Sequence, residues 1–176
     1  MILEIHEITP KILDFIKNPK NLRGIELLTF DDGLYSQFYY RAAFENLNID
    51  RVYFISSAII CPENVEQQII DIPCHTAHQM VFNIRDYSAY MKMSQIQILQ
   101  NEGSEIGSHS HEHKYFTDFS DFKINLELSL KIFKQNNIII KKYLAPYNHR
   151  FLLGDAYVDY IGLKNIAGRV RIEEIL

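Results

Sequence analysis

Two short polar clusters hold the residues best suited to chemistry: Thr29-Phe30-Asp31-Asp32-Gly33 and His109-Ser110-His111-Glu112-His113. Each directly follows an apolar, strand-like run. Together they offer two carboxylates and a pair of imidazoles, enough to hold one divalent metal ion and leave a base free beside it. That combination points to a metal-dependent hydrolase.

His109 and His113 are four residues apart, which puts them on one side of a helical turn and equally on one face of an extended segment. His111 joins them only if the segment is extended. Asp31 and Asp32 would point to opposite faces of a regular strand, but a turn at Gly33 splays both toward the strand end. One can then ligate while the other stays free. The competing reading is that the aspartates cap the following helix, which accounts for one of them better than for two. Two imidazoles and one carboxylate form a facial set with open positions, suited to zinc, nickel or cobalt. Such an ion lowers the pKa of water from about 15.7 toward about 7, giving a nucleophile near neutrality.

The surrounding pattern must position these groups. Residues 24–30 read as a strand ending at the aspartate turn, and residues 34–47 carry apolar side chains at helical intervals. A buried second strand is expected over 51–60, rich in β-branched and aromatic residues. From 61 to 90 the periodicity fades, which suggests a long excursion from the core. A helix then starts near Ser94 as a plausible cap and stops at Asn101-Glu102-Gly103. The extended run 104–108 delivers the histidines, a helix follows over about 121–135, and a strand over 137–140 leads to Ala145-Pro146-Tyr147-Asn148. Alternating strands and helices predict an α/β fold with parallel strands, whose ligands gather at the strands' carboxyl ends. Both clusters fall at such ends.

Composition bounds the partners. The 176 residues, 47 % of them hydrophobic, suit a single globular domain spanning 1–176. A net charge of −4 without a basic stripe argues against nucleic acid. No run approaches the roughly 20 apolar residues of a membrane span, and the amino terminus does not read as a secretory signal, so a cytoplasmic location is expected. Cys61 and Cys74 match no paired-thiolate zinc spacing and read as reduced structural thiols. Cys74, His75 and His78 lack a second ligand pair nearby, which leaves them outside the expected site.

The order Thr-Phe-Asp-Asp-Gly, then Gly103 to His113, then Ala145-Pro146-Tyr147-Asn148 resembles the polysaccharide deacetylases with the NodB-homology domain, carbohydrate esterase family 4. The matching order covers roughly residues 25 to 150. The resemblance implies a distorted (β/α) barrel with fewer than eight strands that removes an N-acetyl group from an amino sugar. It also implies roles: Asp31 as general base; Asp32, His109 and His113 as ligands of one divalent ion, zinc first, with nickel or cobalt as alternatives. Tyr147 would offer its backbone N–H to the oxyanion, Pro146 and Asn148 would contact substrate, and Ser110 would steady the histidine loop.

Three departures accompany the resemblance. The arginine that often precedes the third-motif tyrosine by three residues, orienting the base, is Leu144 here. The chain has no tryptophan for the family's later aspartate-tryptophan motif. No histidine follows His149 to protonate the leaving amine, so His149, His111 and a protonated Asp31 are the candidate acids. The stretch 160–172 is similar to the tail of short deacetylase-like proteins of surface-polysaccharide biosynthesis, which implies a nucleotide-linked or lipid-linked N-acylated sugar. Removal of N-formyl instead of N-acetyl, or a non-catalytic relative that binds metal and glycan, are the alternatives.

Overall fold

The computed structural model describes residues 1–69 and 73–176. In chain order the elements are β1 (Ile2–Ile5), α1 (Pro10–Lys17), β2 (Leu27–Phe30), α2 (Tyr35–Tyr39), α3 (Ala42–Glu45), β3 (Asp50–Ile55) and α4 (Cys74–Ile84). They continue with α5 (Met93–Asn101), β4 (Glu105–Ser108), α6 (Phe119–Gln135), β5 (Ile140–Tyr143), α7 (Leu152–Tyr160), β6 (Lys164–Asn165) and β7 (Arg169–Arg171). The seven strands form one sheet in the order β6-β5-β4-β3-β2-β1-β7, and every neighbouring pair is parallel. Parallel neighbours need crossover connections, which most of the helices supply. The sheet curls into a distorted, incomplete barrel, so the carboxyl ends of its strands share one rim.

Alternation along β3 sorts the core into two faces. Tyr53 and Ile55 join Leu3, Ile5, Leu28 and Phe30 in the main cluster, against Ile12 and Ile16 of α1 and Ile96 and Leu99 of α5. Val52 and Phe54 turn the other way, toward Leu144 and Ile166. The Phe54 ring lies directly over Gly107 of β4, where a Cβ would overlap ring carbons. Gly107 is thus set by close packing, with no unusual backbone angle.

Several elements differ from the sequence pattern for identifiable reasons. The single helix expected over 34–47 is broken into α2 and α3. The Phe38 carbonyl accepts from both the Arg41 N–H and the Arg41 guanidinium, each at 3.2 Å, and the N–H groups of Ala43 and Phe44 also bond three residues back. The excursion over 61–90 contains α4, whose Ala77, His78 and Val81 are buried; its residues 70–72 lie outside the described residues. The cap of α5 is Lys92, whose N–H is taken by the Gln95 side chain at 2.9 Å, and not Ser94. The strand expected over 137–140 starts at Ile140. Asn137 is left-handed (φ 59°) and the Ile138 N–H returns to the Phe133 carbonyl, so the first residues of that apolar run terminate α6.

Gly107→Ala is expected to destabilise the fold by about 1–3 kcal/mol through overpacking against Phe54. Urea unfolding followed by circular dichroism measures this, and an unchanged midpoint would refute the packing argument.

Candidate active site

The rim receives a histidine from β1, both aspartates from β2, the histidine loop from β4 and the tyrosine turn after β5. A cavity of about 480 Å³ opens there, lined by Asp31, Asp32, His109, His113, Tyr147 and Asn148. Three other residues predicted from sequence lie elsewhere. The His111 ring bonds Ser57 through Nδ1 at 2.8 Å and does not line the cavity. Pro146 and His149 line a small adjoining cavity, with His149 packed against Tyr115.

Local backbone geometry explains how the two aspartates separate. Asp32 and Gly33 are both left-handed (φ 73° and 78°), so the chain reverses hand immediately after β2. A non-glycine residue held there costs of order 1 kcal/mol, and such costs gather at functional sites. Neither aspartate caps α2, whose N-cap is Leu34 with no side-chain bond. Both carboxylates are instead buried, Asp31 to 1 % exposure and Asp32 to 2 %.

The histidine segment is neither helix nor strand. Ser110 and His113 are left-handed (φ 66° and 49°), and the Ser110 hydroxyl accepts from the His113 N–H at 3.2 Å. Asn125 of α6 accepts from the N–H groups of His111 (2.7 Å) and Glu112 (3.2 Å), which pins the turn from outside. The turn brings both imidazoles to one carboxylate oxygen: Asp32 Oδ1 lies 2.9 Å from His113 Nε2 and 3.4 Å from His109 Nε2. His109 Nδ1 is 2.8 Å from the Leu144 carbonyl, an acceptor, so Nδ1 carries the proton and Nε2 faces Asp32 with its lone pair.

These residues fit a bound divalent ion. Asp32 Oδ1 and His78 Nε2 are buried without a hydrogen-bond partner, although unpaired buried polar atoms are costly. Asp32, His78 and His113 present ligand atoms all within 4.8 Å of one another, and imidazole with carboxylate suits zinc, cobalt or nickel.

Three contributors stand outside the set expected from sequence, and one of them, His78, lines the cavity together with Cys74 and His75 although their spacing had excluded all three. Arg169 of β7, with a side chain only 3 % exposed, bridges the buried carboxylates: Nη1 meets Asp31 Oδ2 at 2.5 Å and Nη2 meets Glu4 Oε2 at 2.9 Å. It also donates to Thr29 and Asn148, at 3.2 and 2.6 Å. An arginine therefore holds Asp31 although position 144 is leucine; it arrives from the far end of the chain. His6, after β1, lies 3.9 Å from both Asp31 and Asp32. Burial disfavours its charge, but Asp32, Asp31, Glu4 and Glu7 outweigh burial and raise its pKa. His78, from α4, sits with its ring centroid 4.2 Å from that of His113. Burial takes His78 down to about 4, with Asp32 opposing and the neighbouring imidazoles adding to the fall. The sequence groups His78 with Cys74 and His75 as a set lacking a second ligand pair nearby, and the fold supplies the missing neighbours, Asp32 and His113.

No family model and no curated protein matches the chain in sequence. Solved structures do share its architecture. IcaB from Ammonifex degensii aligns over 97 % of this chain and 84 % of its own at a TM-score of 0.65 and 13 % identity. The deacetylase PplD of Streptococcus pyogenes, in complex with acetate, aligns over 97 % and 91 % at 0.66 and 12 % identity. A family 4 carbohydrate esterase from Streptomyces lividans, also with acetate, aligns over 81 % and 60 % at 0.53 and 15 % identity. The chain has the polysaccharide deacetylase fold. Within this deacetylase fold, the rim bearing Asp31, Asp32 and the two histidines is where an open α/β sheet gathers ligands.

Arg169→Met removes the cation shared by two buried carboxylates and is expected to cost roughly 3–5 kcal/mol of stability. Arg171→Met, whose side chain is 56 % exposed beside Glu4, should cost under about 1 kcal/mol. Chemical denaturation of both variants compares them, and equal losses would refute the assignment.

Proposed function

We propose that this protein is a metal-dependent hydrolase that removes an N-acetyl group from an amino sugar in surface-polysaccharide biosynthesis, acting in the cytoplasm on an activated sugar. The observation that carries the reading is the division between adjacent buried carboxylates. Asp31 is held by Arg169 while Asp32 faces the imidazoles. Asp32, His109 and His113 are the proposed ligands of the ion. When bound, the ion supplies Lewis-acid polarisation of the amide carbonyl and acidifies water.

Asp31 is suited to act as base. Its Oδ2 is engaged by Arg169, whereas Oδ1 is buried without a partner and free to accept the proton of the attacking water. As the water oxygen bonds to the acyl carbon, negative charge moves to the amide oxygen, where the Tyr147 N–H is the proposed donor. Donors of this kind contribute about 2.7–4 kcal/mol. Tyr147 and Asn148 are both left-handed (φ 59° and 53°), a turn that re-aims the backbone beside the cavity. The C–N bond then breaks, acetate leaves, and protonated Asp31 returns its proton to the amine. Asn148, accepting from Arg169 and lining the cavity, is proposed to contact the sugar; Pro146, which lines a different cavity, is not.

The cavity volume is within the range of small-ligand sites and suits one sugar residue. The acetate in PplD and in the Streptomyces lividans esterase is the acid product of this reaction, which favours acetyl over formyl. Acetate release from nucleotide-linked N-acetyl sugars, assayed with one equivalent of zinc or cobalt, tests the proposal. Asp31→Asn should lower kcat by a factor of about 10²–10⁴ while retaining the metal. His109→Ala should lose the metal and the activity together. Activity on polymer alone, or full activity of Asp31→Asn, would overturn the corresponding part.

A further inference from the structure

His78 stands apart from the motifs, on a helix in the 61–90 excursion, yet its geometry repeats that of His109. Its Nδ1 lies 2.9 Å from the Cys74 carbonyl one helical turn back. A carbonyl only accepts, so Nδ1 carries the hydrogen and the Nε2 lone pair is left to point away from the helix. That lone pair faces Asp32 Oδ1 at 4.0 Å, and both atoms are buried without a hydrogen-bond partner. Two acceptors facing each other in a dry site repel unless a cation or proton stands between them. His109, with Nδ1 on the Leu144 carbonyl, approaches the same oxygen in the same way.

We propose that His78 is a further ligand of the ion at Asp32, His109 and His113, giving a three-histidine, one-carboxylate site. The inference rests on the metal reading above and extends it. Its support is positional: the ligand atoms of Asp32, His78 and His113 lie within 4.8 Å of one another, and the His78 and His113 rings are in contact. Atoms around one ion with bonds of about 2.0–2.1 Å take separations of a few ångströms, the range in which these three ligand atoms lie. Four protein ligands fill a tetrahedral ion, so a site still open to substrate must expand to five or six positions. Cobalt and nickel accept such geometry readily, and zinc reaches five. A further consequence is that metal binding ties α4 to the rim, coupling the excursion to the centre of the fold.

Cobalt(II) titration of the metal-free protein tests this without relying on catalysis. Wild type is expected to take up one equivalent, and its paramagnetic proton NMR spectrum should contain three strongly shifted, exchangeable ring N–H signals, one per ligating histidine. His78→Ala and His78→Gln should each lose one of those signals and weaken cobalt binding by about 100-fold in chelator competition. Circular dichroism of the metal-free variants checks that each is folded, and His78→Gln tests the site with little loss of volume. Two shifted signals in wild type, or wild-type affinity in both variants, would overturn the role of His78 and leave the three-ligand reading intact. Absence of cobalt binding by wild type would overturn the metal reading itself.

Discussion

Three carboxylates, Glu4, Asp31 and Asp32, are almost completely buried at neighbouring positions of β1 and β2, and the rest of the rim is arranged around neutralising them. Withdrawing even one carboxylate from water costs several kcal/mol unless it is paired and hydrogen-bonded. Arg169 pairs two of them and joins them to Thr29 and Asn148. Asp32 is left to four imidazoles, those of His6, His78, His109 and His113. Two arrangements therefore stand side by side: a permanent cation on one aspartate, and around the next a cluster of imidazoles that, with it, is suited to hold a cation.

The topology makes this possible. β7 pairs with β1 in parallel, which carries the closing segment back to the first strand and sets Arg169 beside the base of the rim. Among the described residues the sheet has seven strands, with β6 and β7 at its edges, and Arg169 of β7 donates to Asn148 of the tyrosine turn that follows β5. A guanidinium delivered from the end of the chain thus holds Asp31, while Leu144 is buried and lends only its carbonyl to His109. The orienting interaction is present although the side chain that makes it stands at a different place in the sequence.

Strain is concentrated where the chemistry is placed. Of seven left-handed non-glycine residues among those described, five, Asp32, Ser110, His113, Tyr147 and Asn148, are at the rim; the other two are Arg85 and Asn137. Each of the five turns the chain within the loop that follows a strand, so that side chains which would alternate in and out instead converge. The supporting bonds are specific: Ser110 to His113, Asn125 to His111 and Glu112, Ser56 to the His109 carbonyl. α6 takes part through Asn125, and its buried face also holds Ser129, whose hydroxyl bonds that of Ser108 at the end of β4.

Much of this architecture was legible in the sequence, because hydrophobic period and turn residues are local properties. The runs before Asp31 and His109, the aspartate turn at Gly33 and the stop at Gly103 mark strand and helix ends by the chemistry of adjacent residues. Spacing of four places His109 and His113 on one side of a helix or one face of a strand, but the segment is neither, and the left-handed Ser110 and His113 are what bring both rings to Asp32. Where local signals competed, boundaries moved: Arg41 broke a helix by taking the Phe38 carbonyl, and Asn137 used the start of an apolar run to end α6. The partners of the clusters were decided by tertiary structure alone. Glu4 and Arg169 are 165 positions apart, and no period or motif links them; only the pairing of β7 with β1 brings a guanidinium between Glu4 and Asp31. His78 had no second ligand within reach along the chain, and it meets Asp32 and His113 only because α4 lies over the rim. Sequence determines which groups can do the chemistry and where strands end, whereas burial and long-range pairing determine which carboxylate meets a cation and which meets imidazoles.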